Sequence, residues 1–137
     1  FEVTLHYAAI TVKGGSSPFE AGPTLRYALQ GTKGSYRKYH LDPQEDQLKA
    51  GMSFNAPGWS VAPAPQHGTL YLADESKLVA TLNGGYTTFY RQLATALITN
   101  NAEALPASGQ SVVAVIRLIE LARLASEQQQ TLSVECS

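Results

Sequence analysis

The sequence predicts an α+β domain, a largely antiparallel or mixed β-sheet with helices packed on one face. Three observations predict it. Several short segments alternate apolar and polar residues with the period of two that a half-buried strand requires. These segments are joined by short turns rich in glycine, proline or charge, as antiparallel neighbours allow. The two longest helical patterns come late and next to each other, so strands and helices do not alternate as they would in a doubly wound parallel sheet. The 137 residues, 44% hydrophobic and 15% charged, suffice for one domain with its own core and no more.

The first strand runs over Phe1 to Tyr7, with Phe1, Val3, Leu5 and Tyr7 on one face and Glu2, Thr4 and His6 on the other. Gly14 to Pro18 reads as a loop. Leu25, Tyr27 and Leu29 alternate with Arg26, Ala28 and Gln30 to make a second strand. Gly31-Thr32-Lys33-Gly34 is a tight reversal in which both glycines are free to take positive φ, and Ser35 to His40 returns antiparallel. Asp42-Pro43-Gln44-Glu45 opens a short helix. Asp42 is a capping acceptor, Pro43 suits the first helical position, and Glu45 stands where it can reach back to the cap; Gly51 ends the helix.

Met52 to Gly68 has no periodicity and holds Pro57, Pro63 and Pro65 with Trp59, the only tryptophan. Loops of this length inside a domain usually cover a site, bind a partner or stay mobile. Thr69 to Ala73 and Leu78 to Leu82 form a hairpin around Asp74 to Lys77. After Asn83-Gly84-Gly85, Thr87 or Thr88 caps a helix with Phe89, Leu93, Ala96 and Leu97 on one stripe, ending near Asn100-Asn101. Ser108 caps the longest helix. Val112, Val115, Ile116, Ile119 and Ala122 form its apolar face, set to bury against the sheet, while Arg117, Glu120, Arg123 and Glu127 line much of the other side. Thr131 to Glu135 reads as a last strand.

Composition excludes several function classes. A net charge of −1, from 10 basic and 11 acidic residues, gives no electrostatic footprint for nucleic acid or for an anionic membrane surface, and no apolar run approaches a membrane span. Cys136 is the single cysteine, so no internal disulfide forms, and a reducing, cytoplasmic setting is the expectation. The chain begins at Phe1 within a strand pattern and reads as a piece of a longer protein.

Motifs for chemistry are sparse. Dinucleotide binding needs Gly-x-Gly between a strand and a helix, so that the backbone can approach a pyrophosphate; no Gly-x-Gly occurs. Gly31-Thr32-Lys33-Gly34-Ser35 lacks phosphate-loop spacing and precedes a strand, which makes it a hairpin turn. His6, His40 and His67 are too far apart in sequence for metal-ligand spacing, and no Gly-x-Ser-x-Gly elbow is present. Cys136 is a terminal thiol and not a nucleophile. Tyr86, Phe89 and Tyr90 either line a ligand cleft or pack a helix start on the sheet. Trp59 anchors its loop either to its own core or to a neighbouring domain; Tyr36 and Tyr39 pose the same choice. Trp59, Tyr86 and Tyr90 are therefore the candidate cleft or domain-contact residues. The residues themselves offer no catalytic, cofactor-binding or metal-ligating set.

One set of segments is more specific. Gly31-Thr32-Lys33-Gly34-Ser35-Tyr36 with Lys38, then Leu41-Asp42-Pro43-Gln44-Glu45-Asp46-Gln47-Leu48, resembles the C-terminal domain of Gfo/Idh/MocA-type oxidoreductases, the glucose–fructose oxidoreductase and inositol dehydrogenase relatives. Gly68-Thr69-Leu70-Tyr71, Gly85 to Tyr90, and Val115 to Ala122 with Ser126 follow the same pattern in order. The resemblance implies a C-terminal domain of the glyceraldehyde-3-phosphate-dehydrogenase-like kind. It also implies a parent enzyme with an N-terminal Rossmann domain that uses NAD or NADP for hydride transfer on a sugar, polyol or related hydroxy compound. The segments that carry the family's catalytic Glu-Lys-Pro lysine and its Asp/His pair have no counterpart here, and Lys33 sits in a turn. The chain alone is thus expected to bind no dinucleotide and to be inactive. Its expected partners are its own Rossmann domain, a small-molecule substrate, and a second copy.

The second copy has a candidate surface. The second faces of the first two strands carry Thr4, His6, Ala8 and Ile10, then Arg26, Ala28 and Gln30. That mixture suits a dimer interface with an apolar centre and polar edges, on the sheet face that the helices leave open. Two other readings stand beside this one: a self-contained α+β module binding a small apolar ligand between sheet and long helix, and a purely structural dimerisation module.

Overall fold

The computed structural model describes residues 1–134 and contains six strands and three α-helices. In order these are β1 (Glu2–His6), β2 (Thr11–Gly15), β3 (Leu25–Gly31), β4 (Gly34–Tyr39), α1 (Gln44–Lys49), β5 (Gly68–Tyr71), β6 (Ser76–Val79), α2 (Tyr86–Thr99) and α3 (Gly109–Gln128). Every ladder is antiparallel, as an α+β chain with short turns requires. The strands form two sheets, a β1–β2 hairpin and a four-stranded sheet in the order β3-β4-β5-β6. Two compact units make up the chain. One joins Phe1–Pro18 with the described part of Arg91–Ser137, and the other is Phe19–Tyr90.

In the first unit the hairpin replaces the expected loop. Thr11–Gly15 pairs with Glu2–His6, from Glu2 opposite Gly15 to His6 opposite Thr11. The glycines that read as a turn are strand residues: a Cβ on Gly15 would stand 3.0 Å from the carbonyl oxygen of Phe1. The true turn is Tyr7–Ile10, closed by the Tyr7 N–H donating to Ile10 O at 2.9 Å, so Ala8 and Ile10 leave the alternation of β1. Ser108 caps α3 by accepting from Ser111 N at 3.0 Å, as its sequence position predicts. Gln129, at φ 53°, ends the helix in the left-handed conformation. Thr131–Val134 is not a strand, because no ladder partner lies beside it among the described residues; Glu135 and Cys136 lie outside those residues.

The long helix faces differently from the prediction. Leu118, Leu121, Ala122 and Ala125 are the half-buried side and line a cavity of about 360 Å3 with β1. Val112, Val115, Ile116 and Ile119 are exposed, Ile119 by 53%. Both stripes satisfy i, i+3, i+4 spacing, so periodicity marks a helix without choosing its inner face.

In the second unit, β3 and β4 are joined through Thr32-Lys33, with Gly31 opposite Gly34. Neither glycine takes positive φ. Gly34 is needed for a different reason: a Cβ there would stand 2.6 Å from Tyr71 O of the neighbouring strand. Gly68 is likewise required because its missing Cβ would overlap the Tyr36 ring and hydroxyl. The β5–β6 turn comes two residues earlier than expected, over Leu72 to Glu75, with Leu72 N donating to Glu75 O at 2.8 Å, so Ser76 and Lys77 are strand residues.

Helix α1 ends as its glycine predicts. Gly51 has φ 79°, Met52 N donates to Gln47 O and Gly51 N to Leu48 O, each at 2.9 Å, the double bond of a Schellman motif. Its start differs in one respect. Asp42 accepts from Gln44 N at 2.9 Å, but Glu45 pairs forward with Lys49 at 2.7 Å instead of turning back to the cap.

Candidate functional site

The Asp-Pro-Gln and Gly-Gly-Tyr segments meet. Asp42 Oδ1 accepts from the Gln44 side-chain amide at 2.8 Å as well as from its backbone N–H, and Gln44 Oε1 accepts from Tyr86 N at 3.1 Å. Gln44 is only 2% exposed. A side chain on Gly84 would overlap both Asp42 and Gln44. The first N–H of α2 is therefore satisfied by a glutamine 42 residues earlier, and not by Thr87 or Thr88. Tyr86 and Tyr90 stand in the first turns of α2, both exposed, with Tyr90 edge-on to Phe89 at 5.4 Å between ring centroids.

Helix α1 also grips the Pro-rich loop. Gln47 donates to Gly58 O at 3.1 Å and accepts from Ser60 N at 2.8 Å. The loop is a chain of turns: Trp59 N donates to Ala56 O, Val61 N to Gly58 O and Gln66 N to Pro63 O. Ser60 has φ 60°, a left-handed backbone uncommon for serine. Trp59 sits at this grip, half-buried, its ring edge-on to Phe54 at 6.2 Å. Its indole N–H is buried and has no hydrogen-bond partner among the described residues. At the loop's far end Lys38 is 8% exposed. Its ammonium donates to Gln66 O at 2.6 Å and to Thr81 Oγ1 at 3.1 Å. Neither Lys38 nor Gln47 is identified as a loop anchor by sequence patterning. Burial of a lysine and the reach of a glutamine side chain have no periodic signature.

The register sorts the four-stranded sheet into two faces. Tyr36, Lys38, Gly68 and Leu70 share one; Lys38 and Gly68 are buried and the other two half-buried. Ala28, Arg37, Thr69 and Leu78 run across the other, with Gln30, Ser35 and Tyr71 beside them, and most are exposed. Ala28 and Gln30 thus lie on the open face that the alternation of β3 assigns them. Arg26 occupies the irregularity between Leu25 and Tyr27, its guanidinium 5.5 Å from the Tyr27 ring centroid. Thr4, His6, Ala8 and Ile10 belong to the other unit, where Thr4 and His6 border the cavity between β1 and α3.

A helix start offers four unpaired N–H groups; at α2 the Tyr86 N–H is held by Gln44 and at α3 the Ser111 N–H by Ser108. Among the described residues no three His, Cys, Asp or Glu side chains cluster for a metal, and the His67 ring is engaged with Ala62 O at 3.1 Å. No helix of the described residues is long and apolar enough to cross a membrane.

This architecture has close counterparts. Residues 1–135 match the oxidoreductase family, C-terminal alpha/beta domain, of Gfo/Idh/MocA type. The chain belongs to that family. It is 31% identical over 141 residues to the scyllo-inositol 2-dehydrogenase (NADP(+)) IolW of Bacillus subtilis, a match covering 98% of this chain and 38% of that protein. An uncharacterized oxidoreductase of Schizosaccharomyces pombe is also 31% identical, over 93% of this chain and 39% of its own length. Among solved structures, YPO2259 of Yersinia pestis superposes with a TM-score of 0.88 at 29% identity, over 99% of this chain and 39% of that one. The structure of yvaA of Bacillus subtilis gives 0.83 at 31%, over 98% and 41%. The chain therefore spans about two-fifths of the length of these relatives.

Proposed function

We propose that this chain is the substrate-pocket and oligomerisation domain of an NAD(P)-dependent oxidoreductase that acts on a sugar, polyol or related hydroxy compound by hydride transfer. The observation that carries the reading is the family match across residues 1–135, together with a relative named as an NADP-dependent scyllo-inositol dehydrogenase. In this reading the nucleotide is held by a Rossmann domain outside these 137 residues, and the chain by itself is inactive. The loop around Trp59 and the start of α2 at Tyr86 and Tyr90 supply walls of the substrate pocket. The open face of the four-stranded sheet, carrying Ala28, Gln30, Arg37 and Leu78, meets a second copy in a two-fold dimer; a closed dimer presents the same patch on both subunits.

The test is turnover. The parent enzyme, given NADP+ or NAD+ and a panel of inositols, sugars and simple polyols, is expected to reduce the nucleotide with at least one of them, followed by absorbance of the reduced nicotinamide. The isolated chain is expected to give no turnover and no saturable quenching or enhancement of NADPH fluorescence. Absence of nucleotide reduction across the whole panel would overturn the assignment of substrate class.

A further inference from the structure

The Pro-rich loop is held at two places and loaded between them. Gln47 grips it at Gly58 and Ser60 from α1, and Lys38 grips it at Gln66 from β4. Both grips are polar. Lys38 is an ammonium more than nine-tenths buried, and among the described residues no carboxylate pairs with it. An apolar chain of similar length would fill the same space at less desolvation cost. What the ammonium adds is direction: it fixes the Gln66 carbonyl and, through Thr81, ties the entry of β5 to the exit of β6. The held conformation carries its own opposing load. Trp59 Nε1 and Gln66 Oε1 are both buried without a hydrogen-bond partner among the described residues, and Ser60 keeps a positive φ. All of these would be relieved if the loop lifted into water, since an unmade buried hydrogen bond is costly and an open loop would make it with solvent.

We propose that residues 52–67 form a lid, latched shut by Lys38 and Gln47 and biased to open by the unpaired polar atoms of Trp59 and Gln66. Lys38 and Gln47 are positioning residues: they set where Trp59 stands. The consequence for substrate rests on the reading that the Trp59 loop is a wall of the pocket. The latch itself does not.

Peptide-resolved hydrogen exchange of the parent enzyme separates the two. Lys38→Met and Gln47→Leu are each expected to speed exchange of the amides of Trp59, Ser60, Val61, Gln66 and His67 at least tenfold, with the α3 amides unchanged. Thr81→Val, which leaves the Gln66 contact intact, is expected to give a smaller increase confined to Gln66 and His67. Lys38→Arg, which keeps a donor to Gln66 O, is expected to restore most of the protection lost in Lys38→Met. Change of less than twofold in both Lys38→Met and Gln47→Leu overturns the latch, as does an equal loosening of loop and α3, because the residues would then be general stabilisers. Raised exchange with an unchanged kcat/KM for the polyol leaves the latch standing and overturns the placement of Trp59 in the pocket wall. Raised exchange with a higher KM supports both.

Discussion

The two faces of the four-stranded sheet are built from the same strands and behave differently. On one, Lys38 and Gly68 are buried and Tyr36 lies across a glycine; on the other, Ala28, Arg37, Tyr71 and Leu78 stand open. The first face carries the demanding contacts, a glycine beneath a tyrosine and a buried ammonium aimed at a carbonyl, although Tyr27 and Leu29 at its β3 edge are exposed. The second carries a mixed apolar and polar surface with no such demand inside the chain. The difference teaches where constraint lies. The packing constraints sit on the first face, and the second is the one proposed to meet another copy.

That contrast can be broken from either side. The largest effect is expected from Gly34→Ala, whose Cβ would stand 2.6 Å from a main-chain oxygen of β5 that cannot rotate away. Chemical denaturation should show a loss of about 3 kcal/mol, the upper part of the usual range for forcing extra volume into a packed site. Gln44→Ala comes next. It leaves the Tyr86 N–H without its acceptor and removes a side chain that is itself only 2% exposed, and should cost about 2 kcal/mol. Similar stability for this variant and wild type would show that the link between α1 and α2 is dispensable.

On the open face, Ala28→Arg should change monomer stability by no more than about 0.5 kcal/mol, as exposed positions usually do. Sedimentation should nonetheless move from dimer to monomer at tens of micromolar. A wild type that is already monomeric there would remove the proposed interface. The smallest effect is expected at Glu45 and Lys49, an exposed i, i+4 pair. Lys49 holds the Glu45 carboxyl below its ordinary value, so the contribution of Glu45 is complete above the ordinary carboxylate range and fades as pH falls through the lowered value. Glu45 raises Lys49, whose contribution is complete below its ordinary range and fades as pH rises through the raised value. Glu45→Gln should therefore flatten the acid limb of the stability profile slightly, and high salt should erase the difference from wild type.

How much of this was legible in advance follows from the range of each interaction. Alternation in Leu25 to Gln30 placed Ala28 and Gln30 on one face, and the ladder keeps them there, because a strand's side-chain period is a local property. Asp42, Gly51 and Ser108 marked helix ends because caps act within a few residues. The hairpin partner of β1 was missed because glycines in a strand and glycines in a turn look alike until a neighbour approaches.

The α+β class, the antiparallel hairpin of β3 and β4, the limits of α1 and the start of α3 are written in local sequence, since each depends on residues close together along the chain. Which stripe of α3 faces β1, that Gln44 and not a threonine satisfies the start of α2, and that Lys38 fastens the Trp59 loop emerge only from the folded chain. Those outcomes join residues tens of positions apart, and burial and hydrogen-bond geometry, unlike period and propensity, exist only once distant segments meet.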